Sequence, residues 1–69
     1  RQDLHTRSLR RLTALDHAES LTDLQVPGFN FRGLHGLPKR YSIHVNGPWY
    51  ITFEWQGSDA LRVDLEQYH

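Results

Sequence analysis

Sixty-nine residues with no cysteine exclude a disulfide framework and any thiolate metal site, and no apolar run is long enough to span a membrane. A chain of this length makes one domain, 1–69, whose folding hides only about 60% of the surface the open chain exposes. Eight Lys/Arg against eight Asp/Glu give zero net charge, but the halves differ: residues 1–40 carry seven bases and four acids (+3), and residues 41–69 carry one base and four acids (−3). Such asymmetry can orient a protein on a polyanion, although small domains often divide their charge unevenly.

Residues 3–17 predict a helix. At 100° per residue, Leu4, Leu9, Leu12, Leu15 and Ala18 fall within one half of the wheel. Arg7, Arg10 and Arg11 form a basic ridge on its flank, read either as a solvated face or as a contact for nucleic-acid backbone. Ser20 followed by Asp23 resembles a capping box opening a short second helix with Leu21 and Leu24 on its apolar side. Pro27-Gly28 ends that helix by Val26. Residues 29–38, with three glycines from Gly28 to Gly36, read as an irregular loop of the kind that often carries function.

The rest predicts β structure. Tyr41, Ile43 and Val45 alternate with Ser42, His44 and Asn46. Trp49, Ile51, Phe53 and Trp55 alternate with Tyr50, Thr52, Glu54 and Gln56. Leu61, Val63 and Leu65 alternate with Arg62, Asp64 and Glu66. Asn46-Gly47 is a strong hairpin signal, with Pro48 suggesting a connection longer than two residues. Gly57-Ser58-Asp59 turns the chain again. The expectation is an α+β fold, in which the N-terminal helix and the short second helix pack on the apolar, odd-numbered face of a three-stranded antiparallel sheet.

The even-numbered face is then open, and presents His44, Tyr50, Glu54, Arg62, Asp64 and Tyr68, followed by the terminal His69. Beside it lies the glycine-flanked loop with Arg32, His35, Lys39 and Arg40. Imidazole, phenol and guanidinium groups on one face suit cleavage of an RNA phosphodiester. The 2′-hydroxyl needs a base, the leaving oxygen an acid, and the pentacoordinate phosphorus cations. Tyr50 reads as a base-stacking platform or as an ordinary cross-strand tyrosine. The five histidines include no pair at the spacing of common zinc motifs, and no metal or other cofactor is expected. Trp49 and Trp55 read as core.

The ordered pieces "LTALDHAESLTDLQVPG", "GLHG", "YSIHVNGPW", "ITFEW" and the terminal "YH" resemble the HigB-type killer toxins of the RelE superfamily. Those chains read close to "LxxLDxAxxLxDLxxPPG", "LKG", "YSIRVNxQWR" and "VxxxDYH". The resemblance covers residues 11–69. It implies a RelE-like fold, usually with a further N-terminal strand and more helix, so that the sequence is expected to be N-terminally incomplete. It also implies a cytoplasmic, ribosome-dependent endoribonuclease of a type II toxin–antitoxin system, held in check by a HigA-like helix-turn-helix antitoxin and cutting mRNA by 2′-hydroxyl attack.

Residue by residue, the resemblance implies that Tyr68 and His69 form the terminal pair associated with activity, and that Ser42, Asn46 and Trp49 belong to the framework of the central hairpin. The sequence departs from the pattern at Tyr50, where relatives carry Arg, and at Gln67, where they carry Asp. It departs again at His35, in place of the lysine of "LKG", and at Arg32, where histidine is frequent. The stretch between Gly36 and Ser42 is also one residue short. Arg32 and His35 are expected to exchange roles, cation for base. The expected catalytic set is therefore His69, Tyr68, Arg32 and His35, with Arg7, Arg10, Arg11, Lys39, Arg40, His44 and Tyr50 on RNA. The departures leave a second reading open, a catalytically degenerate homologue that binds antitoxin or RNA without cutting.

Overall fold

A computed structural model describes residues 2–67. Helix α1 spans Gln2–His17, a 3-10 turn follows at Leu21–Leu24, and four strands complete the chain: β1 Arg32–Leu34, β2 Arg40–Asn46, β3 Trp49–Gln56 and β4 Asp59–Gln67. The strands form one antiparallel sheet in the order β1-β2-β3-β4. The α+β class agrees with the sequence. The sheet has four strands where three were expected, because part of the 29–38 stretch pairs. Arg32, Gly33 and Leu34 stand opposite Ser42, Tyr41 and Arg40. A three-residue edge strand has too few residues for alternation to reveal it, and Gly33 removes one of its side chains.

The core lies between α1 and the odd-numbered face. Leu15, Ala18 and Leu24 pack against Ile43, Val45, Ile51 and Phe53, all buried. At roughly 25 cal/mol per Å2 of apolar surface, burial of each large aliphatic or aromatic member contributes about 1.5–3 kcal/mol. Where α1 does not reach, aromatic rings extend the core. Phe31 stacks on Tyr41 at 5.7 Å, Tyr41 lies 5.9 Å from Phe53, and Phe53 meets Trp55 edge-on at 6.4 Å. Trp49 and Trp55 are half-buried against this cluster.

Local chemistry sets the connections. The Asp23 carboxylate accepts the N–H groups of Glu19 and Ser20, and Asp23 N–H returns to the Ser20 carbonyl, which fixes the entry to the 3-10 turn. The β2–β3 connection is only Gly47-Pro48, two residues rather than the longer loop that Pro48 suggested. Gly47 takes φ +56 at the first turn position, and the negative φ of proline suits the second position of a type II′ turn. A register shift between His44 and Asn46 absorbs the remaining mismatch.

Two apolar expectations fail for geometric reasons. The helix face nearest the sheet is centred on Leu4, Arg11, Leu15 and Ala18, which leaves Leu9 and Leu12 50% and 41% exposed. In β4 a bulge shifts the register between Thr52 and Glu54, and Arg62 sits there in the left-handed region at φ +48. Glu54 consequently faces Leu61, and Ala60 faces Trp55. Leu61 thus joins the polar face, while Val63 and Leu65 are each 43% exposed.

Candidate nucleic-acid interface on the open sheet face

The sheet pairing lays out the face turned away from α1 as rows. Arg32, Ser42, Thr52 and Asp64 form one row across all four strands. His44, Tyr50 and Glu66 form a second. Arg40, Glu54 and Arg62 cluster beside the first row. The alternation within β2 and β3 places these side chains together, so this part of the site was legible in sequence.

Most of the charge on this face is neutralised internally. One Glu54 carboxylate holds both Arg40, at 3.3 Å, and Arg62, at 3.1 Å. Arg40 also donates to Thr52 Oγ1 at 2.9 Å and to the Arg62 carbonyl at 3.1 Å. Thr52, fully buried, passes the chain on by donating to Glu66. Arg40 is therefore tied into the sheet instead of reaching out to a phosphate as expected. The bridging role of Glu54 had no sequence signal beyond its position on the polar face. Arg32 is exposed and has no ion pair or hydrogen bond among the described residues, so it is the guanidinium on this face available to an anion.

His44 sits at one end of the face. Its imidazole Nε2 lies 2.9 Å from the Gly47 carbonyl, and its ring is 5.0 Å from that of Tyr50. Its main chain is held as well: the N–H donates to the Phe29 carbonyl and the carbonyl accepts from Arg11 Nε at 2.9 Å.

The expected basic ridge divides. Arg7 and Arg10 are exposed, whereas Arg11 turns inward, with its guanidinium also 4.8 Å from the centre of the Phe29 ring. Burial, followed by repulsion from Arg7 and Arg10, lowers the Arg11 pKa from its ordinary value. Arg11 locks helix to sheet and is not displayed for RNA. Lys39 lies over Gly33 and 5.7 Å from the Tyr41 ring, on the α1 side of the sheet and away from Arg32 and Arg40. A Cβ at Gly33 would meet the Lys39 Nζ at 3.0 Å, a tight contact that the end of the flexible lysine can relieve by moving.

His35 is exposed in the turn between β1 and β2, beyond the Leu34–Arg40 pair. The last described residue of β4, Gln67, stands opposite Trp49, which in turn stands opposite Asn46. The rise of six residue steps along β2 from Arg40 to Asn46 amounts to about 20 Å along the sheet. The register thus separates the His35 turn from the end of β4 and brings His44 and Tyr50 level with that end. Tyr68 and His69 lie outside the described residues. Among the described residues no group of three or more His, Asp or Glu is gathered for a metal ion, and no helix is long and apolar enough to cross a membrane.

Comparison with protein-family models matches residues 2–69 to the HigB-like toxins, described as the RelE-like toxin of the type II toxin–antitoxin system HigB. The chain belongs to this family. Comparison with curated proteins finds no match. Membership makes the chain a RelE-like toxin of a type II system, in which an antitoxin is the expected partner. Its single helix on an antiparallel sheet agrees with a RelE-like fold. The family's toxins are generally endoribonucleases, which directs attention to the polar face of the sheet.

Proposed function

We propose that this toxin cleaves mRNA on the ribosome by 2′-hydroxyl attack and that a HigA-like helix-turn-helix antitoxin neutralises it in the cytoplasm. The observation that carries this reading is the open sheet face, where an uncommitted guanidinium (Arg32), an imidazole (His44) and a phenol (Tyr50) stand on one surface, the last two level with the end of β4 that leads to Tyr68 and His69. Arg32 neutralises the phosphate. His69 exchanges one proton, and Tyr68 supports that exchange or stacks on a base. Arg7 and Arg10 reach RNA backbone from the exposed helix flank, and His35 meets it from the β1–β2 turn. A diffuse set of cations of this kind gives binding that weakens steeply with salt.

A second reading has its own support. Glu54 neutralises Arg40 and Arg62 together, and with Tyr50 in place of the family's Arg the face holds less uncompensated positive charge than phosphate chemistry favours, while Gln67 in place of Asp removes a carboxylate beside the terminal pair. On that reading the chain keeps antitoxin or RNA binding and has lost cleavage. Induced expression separates the two. Growth arrest with cut mRNA, abolished in His69→Ala, supports the nuclease. Normal growth with retained antitoxin binding supports the degenerate homologue.

A further inference from the structure

RNA cleavage by 2′-hydroxyl attack needs two proton-transfer groups, and the register keeps His35 about 20 Å along the sheet from the end of β4. We propose that His44, rather than His35, is the general base. This assignment rests on the nuclease reading above and goes beyond it by naming the group that activates the nucleophile.

The geometry of His44 carries the inference. A carbonyl oxygen only accepts hydrogen bonds, so Gly47 O at 2.9 Å requires the proton on Nε2. In the neutral imidazole the lone pair then belongs to Nδ1. The second ring nitrogen is thus fixed as acceptor by the bond the first one makes, which is how positioned histidines are readied as bases. Every other polar atom of the residue is engaged: N–H to Phe29, carbonyl to Arg11, Nε2 to Gly47. Among the described residues Nδ1 alone has no hydrogen-bond partner. These bonds reach His44 from α1, from the stretch before β1 and from the β2–β3 turn, and the Tyr50 ring packs alongside, which is far more positioning than a surface contact residue needs.

The surroundings suit the task. Tyr50 stands opposite His44 on β3 and Glu66 follows on β4. Glu66 is held by buried Thr52, so its carboxylate is a fixed neighbour in the row. Arg11 meets His44 at the main-chain carbonyl. In the step, Nδ1 takes the proton of the ribose 2′-hydroxyl as that oxygen bonds to phosphorus. The bond from phosphorus to the 5′-oxygen breaks, and the departing oxygen receives a proton from His69. The products are a 2′,3′-cyclic phosphate and a 5′-hydroxyl, with no net gain or loss of protons.

Single-turnover cleavage of mRNA on programmed ribosomes, followed as a function of pH, tests the assignment. General-base catalysis makes the wild-type rate rise with pH. His44→Gln keeps a hydrogen-bonding side chain but cannot act as a base, so it cleaves about 100-fold more slowly and loses that rise. Added imidazole restores part of the rate to His44→Ala. If His44→Gln cleaves at the wild-type rate with the wild-type pH profile, the assignment falls and the nuclease reading stands. If the wild type fails to cleave, both fall. Nitrogen-15 NMR of the wild-type imidazole is independent of variant folding: the neutral ring carries its proton on Nε2, and protonation on Nδ1 overturns the proposal.

Discussion

Arg11 Nε donates to the main-chain carbonyl of His44 at 2.9 Å, across a sequence separation of 33 residues. This bond fastens the middle of α1 to β2 just beyond the Arg32–Ser42 pair that ends the β1–β2 ladder. It is charge-assisted and partly shielded, and the guanidinium also lies over Phe29. Arg11→Ala is therefore expected to cost about 2 kcal/mol in urea unfolding, whereas Arg7→Ala and Arg10→Ala each change stability by less than about 0.5 kcal/mol. Equal effects at all three arginines would show that the bond contributes nothing specific.

Thr52 is buried between Arg40 and Glu66, accepting from the first and donating to the second. Thr52→Val keeps the shape and removes both bonds, leaving Arg40 and Glu66 each short of a partner. The expected loss is about 1–3 kcal/mol. A double-mutant cycle with Glu66→Gln should show non-additivity of at least about 0.5 kcal/mol, and strict additivity would argue that the two side chains are not coupled.

Leu12, Val63 and Leu65 line a shallow groove between α1 and β4 with Ser8, Ile51 and Asp64, and each of the three is more than two-fifths exposed. Little apolar surface is withdrawn from water there. Leu12→Ser combined with Val63→Thr should shift unfolding in urea by less than about 1 kcal/mol. A loss comparable to that of Phe53→Ala, about 3–5 kcal/mol, would mean that the groove is closed in solution.

Gly57 turns the chain from β3 to β4 at φ +65, with open space where a Cβ would point. The strain at Gly57→Ala is therefore conformational and not steric. Its cost should be about 1 kcal/mol, and Gly57→Asn, which tolerates this region, should recover part of the loss in thermal unfolding.

The sequence by itself determined the helix, the order of the three long strands, the places of the hairpin turns and the polar character of one sheet face. Each follows from a local rule, because a 3.6-residue or two-residue period is written in neighbouring side chains and Gly47 and Gly57 mark their own turns. The motifs also revealed the toxin family. Only the tertiary structure decided that Arg11 faces inward while Leu9 and Leu12 face out, since helix orientation depends on where β2 and β4 lie. Only it showed β1, the bulge that moves Leu61 to the polar face, and Glu54 neutralising Arg40 and Arg62. Long-range pairing brings residues dozens of positions apart onto one row, and that is why the distance of His35 from the end of β4, and the hydrogen bonds that hold His44, were invisible in one dimension.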